Sequence, residues 1–375
     1  MESRTLLRDF QSHNQTRSVY TVENGLVAKS NKLRLLDFNI YSDSTYQTVA
    51  EVALHPLAGV YTLIKKLSFL NLQGQEIDSL RDCTNVMALR LLHMDNGSQA
   101  DISPFLNCTA NSFYNTDSKS VNCFDNTVSL PQTNGLYIDL ASMLNYLNTR
   151  EFISEGFTVV VEWNDKSVWA PSVSTPLYIS APTLAIDEAL GVSPAQVPQE
   201  PVMFTAMVND QIYLSTSNTP QIRRLNSYYN QFISNMYYLN NNIQTPYQGR
   251  GFSSSQREVF ELTIDGKKLL PLHGVDNPAR KLALLNDFTG KTSILTGSYT
   301  SLAAPIGVKL EGINSPSIMF DNICSYGCVK LDRFIQNDLT LSYSRQSVDD
   351  VNLVILAEVL KMYDPKSGQL TYVRQ

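Results

Sequence analysis

Charge is scarce in this chain. Only 17% of its 375 residues are Asp, Glu, Lys or Arg, and the formal net charge is −6. A surface built to neutralise nucleic-acid phosphates needs the opposite sign, so direct nucleic-acid binding is not expected. Histidine is nearly absent. His13, His55, His93 and His273 are far apart, and neither HExxH nor a His/Cys ligand spacing occurs. The cysteines are odd in number: Cys83, Cys108, Cys123, Cys324 and Cys328, with no CxxC pair. "CSYGC" has no second pair and reads as small core residues rather than a zinc site. The odd count points to synthesis in a reducing compartment.

Catalytic signatures are missing as well. There is no GxSxG, and no cysteine carries the local pattern of a nucleophile. "FTGKTS" (288–293) suggests a phosphate loop, but Leu285 stands where that loop needs its first glycine. A predicted helix precedes it where a phosphate loop follows a strand, so it reads as a turn. The most apolar stretch, "VNLVILAEVL", contains Asn352 and Glu358 and is about half the length of a membrane span. The N-terminus "MESRTLLRDF" is charged where a signal peptide is apolar. No span and no secretion signal are expected, so three N-x-S/T matches at Asn14, Asn96 and Asn107 read as chance. These absences predict a non-enzyme without metal or cofactor.

Hydrophobic residues make up 43% of the chain, and Asn, Ser, Thr and Gln supply much of the polar surface. The length suits two domains of roughly 200 residues each. Short strand-like runs dominate: "RSVYTVE", "RLLDFNIYS", "GVYTLIKKLSFLNL", "GFTVVVEW" and "VMFTAMV". "TNVMALRLLHM" reads as a helix capped by Thr84 or Asn85. Leu6, Leu7 and Phe10 fit one face of a single-turn helix in an N-terminal arm, residues 1–17. Within 222–239, Leu225, Tyr229, Phe232, Ile233 and Met236 have helical spacing. This marks Tyr229, Phe232 and Met236 as a candidate interface helix. Stretches 95–134 and 215–256 read as long loops, and "GVSPAQVPQEPV" (191–202) as an interdomain linker.

Three landmarks recur about 192–194 residues apart. "LSFLNLQGQ" parallels "VFELTIDGK", the helix from Thr84 parallels one from Asn277, and "FTVVVEW" parallels "VNLVILAEV". The pattern predicts a duplication. One stretch, "GLYIDLASMLNYL" (135–147), changes period inside itself. Leu136, Ile138 and Leu140 alternate as in a strand, and then Leu140, Met143, Leu144 and Leu147 repeat as in a helix.

The tandem repeat, the proline-rich break and "LPQTNGLYIDLASMLNYL" resemble the double jelly-roll major capsid proteins of the adenovirus and tailless-phage (tectivirus-like) lineage, over about Ser18 to Val373. The resemblance implies an all-β fold with a few inserted helices: two tandem eight-stranded jelly-roll β-sandwiches at 18–192 and 203–375, joined by a linker at 193–202. It implies a short helix of Leu140, Met143, Leu144 and Leu147 over the end of the first barrel. It also implies homotrimers with a pseudo-hexagonal outline that tile an icosahedral shell, with the long loops outward. Other capsid proteins, such as penton or minor proteins, would be partners. The arm with Leu6, Leu7 and Phe10 would reach a neighbouring capsomer or an internal membrane, and the protein would reside in the virion. Two rival readings are a minor capsid or vertex protein, and a carbohydrate-binding protein of two β-sandwiches, which exposed Trp and Tyr on a concave sheet would favour. Of the two tryptophans, Trp163 lies in an apolar strand and reads as core, and Trp169 sits before Pro171 at a strand or loop edge.

Overall fold

β-Branched and aromatic residues alternate along "FTVVVEW", and that strand lies at the middle of a sheet with Phe157, Val159, Val161 and Trp163 buried. The computed structural model describes residues 2–50, 60–93, 136–170, 173–214, 221–242, 258–268, 326–345 and 351–374. The described residues form two units. Unit 1 takes those within Met1–Leu91, Gly97–Ala206 and Lys361–Thr371. Unit 2 takes those within Leu92–Asn96, Met207–Leu360 and Tyr372–Gln375.

In the first unit the strands are, in chain order, β1 (Ser3–Arg8), β2 (Ser12–Asn14), β3 (Arg17–Val22), β4 (Ala28–Lys29), β5 (Arg34–Phe38), β6 (Ile40–Tyr41) and β7 (Ile64–Asn71). They continue with β8 (Glu76–Arg81), β9 (Leu136–Asp139), β10 (Phe152–Ile153), β11 (Phe157–Trp163), β12 (Tyr178–Ile179) and β13 (Thr183–Ala189). One sheet runs β10-β4-β13-β5-β9, with β1 on β13, and the other runs β2-β3-β11-β7-β8. β4 and β5 are two halves of one strand, both on the same side of β13, and β9 and β10 pair those halves in turn. With β4–β5 and β9–β10 each counted as one strand, and with β2, which extends the edge at β3, and the separate short pair β6–β12 left aside, the sheets have the orders 1-8-3-6 and 2-7-4-5.

The remaining strands are β14 (Val202–Leu214), β15 (Gln221–Arg224), β16 (Phe232–Asn242), β17 (Glu258–Ile264), β18 (Lys267–Lys268), β19 (Tyr326–Phe334), β20 (Leu339–Arg345), β21 (Val351–Asp364) and β22 (Gln369–Tyr372). Their sheets run β14-β21-β16-β19 and β15-β20-β17-β18, with β22 on β21. From β14 to β21 the orders are again 1-8-3-6 and 2-7-4-5. This is the jelly roll, two face-packed four-stranded sheets, built twice. The second core packs Leu225, Ile233, Met236, Leu262, Ile264, Leu339, Leu341, Leu353 and Ile355 together.

Topology decides which landmarks are equivalent. β7 and β17 are both fourth strands, and each ends in a glycine of positive φ, Gly74 at 83° and Gly266 at 74°. In the second, Asp265 at φ 50° precedes Gly266, the backbone a tight hairpin needs. "FTVVVEW" and "VNLVILAEV" are not equivalent: β11 is a seventh strand and β21 an eighth. Both read alike because each lies between two neighbours and is buried. The expected helix near Asn277 lies outside the described residues. The helix from "TNVMALRLLHM" runs Cys83–His93, and Asp82 rather than Thr84 or Asn85 precedes it. Thr84 and Asn85 are buried in its first turn.

Two expected helices are strands. Ser3–Arg8 of the N-terminal arm is the first strand of unit 1, paired with β13 from Ser3↔Ala189 to Arg8↔Leu184. Leu6 is half-buried, while Leu7 and Phe10 are exposed. A ladder of hydrogen bonds to β13 outweighs the propensity of a single helical turn. Residues 232–242 are β16, paired with β19 and β21. The register shifts between Ile233 and Met236. That bulge puts two buried residues three apart, and so mimics a helical period. Met236 is core, Phe232 stacks edge-on against Phe334 at 5.2 Å, and Tyr229 is exposed before the strand. The stretch 215–256, expected as a loop, therefore holds β15 and β16; 95–134 lies outside the described residues. The 193–202 segment forms a capped turn at Pro194–Gln196, and Val197 is buried against Val27 and Ala189.

Gly156 immediately precedes β11, where backbones crowd. A Cβ there would lie 2.8 Å from the Val22 carbonyl oxygen and 2.9 Å from the Asn24 nitrogen. Its N–H donates to Asn24 Oδ1 at 2.6 Å. Gly156→Ala is expected to destabilise the protein by about 1–3 kcal/mol, through overpacking against main chain that cannot rotate away. Chemical denaturation measures it, and an unchanged midpoint would refute the crowding argument.

Candidate functional site

The period change at 135–147 is the start of an interruption in a strand. β9 pairs with β5 as far as Asp139↔Arg34, and pairing resumes at Phe152↔Lys29 on β10. Residues 140–151 leave the sheet between those points. The residue that turns the chain is Asp139. Its carboxylate accepts the Ala141 N–H at 3.1 Å, and its carbonyl accepts the Ser142 hydroxyl at 2.7 Å. An aspartate binding its own downstream backbone makes a turn without glycine or proline. Burial raises the Asp139 pKa above its ordinary value.

A single turn follows, with Leu144 N–H donating to the Leu140 carbonyl at 2.9 Å, and then a 3-10 turn at Asn145–Asn148. Leu140, Met143, Leu144 and Leu147 are all buried. They belong to two short turns rather than one α-helix. In the 3-10 turn between β4 and β5 the buried Ser30 donates to the Leu147 carbonyl at 2.7 Å and also to the Arg150 carbonyl, while its own N–H donates to Glu151 O at 3.1 Å. Leu140 N–H donates to Leu33 O at 3.1 Å. The excursion is thereby stitched to the β4–β5 segment beside the strand it interrupts.

Tyr146 is its centre. Its N–H donates to Asp78 Oδ2 at 3.0 Å and its hydroxyl donates to Glu155 Oε1 at 3.1 Å. Arg150 donates to the same hydroxyl at 2.9 Å, pairs with Glu155, and donates to Pro198 O at 3.0 Å. The ring lies 5.6 Å from Phe69, 5.4 Å from Phe204 and 5.6 Å from Tyr363. Asn145 donates to Thr205 O at 2.7 Å, and Arg90 donates to Ser142 O and to Asn145 Oδ1. Burial pushes the Tyr146 pKa up. It pushes the Asp78 carboxyl from 3.8 to about 6, against a partial pull downward from the Tyr146 N–H, Lys361 and Arg90. Tyr146 sits inside the quoted stretch but outside its apolar repeat. An aromatic between Leu144 and Leu147 was the only sequence signal for it.

Chemistry at this site is packing and hydrogen bonding. Among the described residues no group of three or more His, Cys, Asp or Glu is placed to hold a metal, and no helix is long and apolar enough to cross a membrane. A cleft of about 510 Å³ in unit 1 is lined by Arg17, Glu162, Trp163, Asp165, Lys166 and Trp169, among others. Asp165, Lys166 and the two indoles there serve the fold. Asp165 caps the four-residue helix Lys166–Trp169 by accepting from Ser167 N–H, and Lys166 donates to Val173 O and Thr175 O. Trp163 and Trp169 are buried, and their indole N–H groups donate to Ser18 Oγ and Asn164 O. No aromatic platform for a sugar is presented there.

No protein-family profile and no curated protein sequence matches the chain. Solved structures do. The major capsid protein of mavirus superposes with a TM-score of 0.55 at 10% identity, covering 99% of this chain and 90% of that one. A structure of the Sputnik virophage gives 0.56 at 9% identity over 99% and 88% of the two chains. The PBCV-1 virus capsid gives 0.51 at 9% identity over 100% and 97%. At such low identity these matches establish the fold, the double jelly roll, over essentially the whole chain.

Proposed function

We propose that this chain is the major capsid protein of an icosahedral virus, and that three copies form a pseudo-hexagonal capsomer. The observation that carries this reading is the pair of complete jelly rolls in tandem, alike in strand order and matched end to end by viral capsid structures. Two barrels per chain make six per trimer, which is the symmetry a hexagonal lattice needs. The virion is then the protein's location, other copies are its first partners, and penton or minor capsid proteins follow. It performs no catalysis. In the chain, the strands of the first jelly roll precede the 193–202 segment and β14, the first of the second, begins at its end. Residues 140–151 close the end of the first barrel, shielding Leu140, Met143, Leu144 and Leu147 from water.

Light scattering after gel filtration tests the reading. A stable species of three times the 42.0 kDa chain mass is expected. A monodisperse monomer at micromolar concentration would overturn it.

A further inference from the structure

The first strand of unit 1 has one partner. β1 pairs with β13 on one side, and among the described residues no strand pairs with its other side. Exposed edges are ordinarily blunted by proline, a bulge or repelling charge. β1 has no proline, and its register runs unbroken over six residues. Arg4 and Arg8 are its charges, and Glu2 precedes it.

The direction of the open hydrogen bonds follows from the pairing. Leu190 N–H donates to Glu2 O at 3.0 Å, so Glu2 and Leu190 extend the ladder as a hydrogen-bonded pair. Such pairs alternate in an antiparallel ladder. Arg4, Leu6 and Arg8 therefore direct their backbone groups at β13, and Ser3, Thr5 and Leu7 direct theirs outward. Ala189, opposite Ser3, agrees: its N–H donates away from β1, to Val27 O at 2.9 Å.

We propose that β1 is an interaction surface for β1 of a second copy of this chain, paired antiparallel about a two-fold axis through Thr5. Three registers join two or more of these outward residues to one another. Centring on Arg4 sets Arg4 against Arg4 of the other copy. Centring on Leu6 sets Arg4 against Arg8. Like charges directly opposite each other are destabilising. Centring on Thr5 sets Ser3 against Leu7, Thr5 against Thr5 and Arg4 against Leu6. It also sets Glu2 against Arg8 at both ends. It is the register that uses all three outward residues, opposes no like charges along the strand and adds two ion pairs. Leu7, 59% exposed on the monomer, gains a cross-strand neighbour. The edge charges that look like a guard against pairing thus select one partner and one register.

A single six-residue contact is weak in solution. Repeated between capsomers of a shell it would be multiplied by avidity. It stands apart from the trimer: a failed capsid reading appears in the mass measurement, and a failed β1 contact appears only in the test below.

Thr5→Cys in the full-length chain brings two thiols across the axis. Opposed residues of a hydrogen-bonded pair have Cα atoms about 5.5 Å apart, within disulfide reach. Ser3→Cys places its thiols about 13 Å apart, out of reach. Under mild oxidation at high protein concentration, Thr5→Cys is expected to give covalent dimer at least about tenfold faster than Ser3→Cys or the unmodified chain. Equal rates would overturn the proposal. In the Thr5→Cys background, Arg8→Glu is expected to slow cross-linking about tenfold, and adding Glu2→Arg to restore it. Failure of the double exchange to restore would overturn the register. Sedimentation of the same charge variants with Thr5 intact reads the contact without cysteine, and there too Arg8→Glu must weaken association and the double exchange recover it.

Discussion

Tyr146→Ala is expected to lower stability by about 3–5 kcal/mol, the range for truncating a large buried aromatic. The side chain is fully buried, and three aromatic rings lie within 5.6 Å of its centroid. Their positions are held by separate strands, β7, β14 and β21, so the cavity has little freedom to collapse. The alanine also removes the hydroxyl shared by Glu155 and Arg150. Tyr146→Phe separates the two contributions. It keeps the ring and loses the hydroxyl, and should cost about 1–2 kcal/mol. Urea denaturation followed by near-ultraviolet circular dichroism measures both. An alanine variant within 1 kcal/mol of the unmodified protein would mean that 140–151 is not anchored through this residue.

The second large effect is on pH dependence. The Asp78 carboxyl holds its proton more tightly folded than unfolded, because burial raises its pKa from 3.8 to about 6. The protonated side chain therefore favours the fold. Its stabilisation is complete below the unfolded value and is lost as pH rises through 6. That rise corresponds to a loss on the order of 3 kcal/mol between pH 4 and pH 7. Asp78→Asn cannot ionise and removes that slope. The stability difference between asparagine variant and unmodified protein should change by this amount across the window, in favour of the variant at higher pH. Parallel stability curves would show that the carboxylate is solvated or paired in the fold. The absolute stability of the variant is a poorer guide, since the amide nitrogen cannot accept the N–H of Tyr146 or Ser79 that a carboxylate oxygen accepts.

Much of the architecture was legible in the residues. Alternating β-branched and aromatic runs mark β3, β7, β11, β17 and β21, because a strand with one or both faces buried has few other ways to be written. The repeat was visible at β7 and β17, where both copies need a turn glycine of positive φ. It misled at β11 and β21, because burial on both faces erases the differences between strands of different rank. Helical spacing misled twice. In "SRTLLR" the pattern was too short to separate a helical turn from a strand, and β13 decided between them. Around Ile233 and Met236 a bulge shifted the buried face by one residue, and periodicity cannot tell that from a helix.

The candidate site divides in the same way. Leu140, Met143, Leu144 and Leu147 announced a buried face, and they are buried. Asp139 as the turning residue, Ser30 as the clasp and Tyr146 as the hub carry no pattern of their own. Their partners come from distant segments, as with Ser30 and the Arg150 carbonyl, 120 residues apart, or Tyr146 and the Tyr363 ring. The sequence by itself determined that this protein is β-rich, duplicated, weakly charged and without a metal or nucleophile motif, because composition and local period respond to burial and to backbone preference. Only the tertiary structure decided which strand neighbours which, that the N-terminal segment is a strand whose outer edge has no partner among the described residues, and what Tyr146 holds, because those depend on pairings between distant segments that no local pattern encodes.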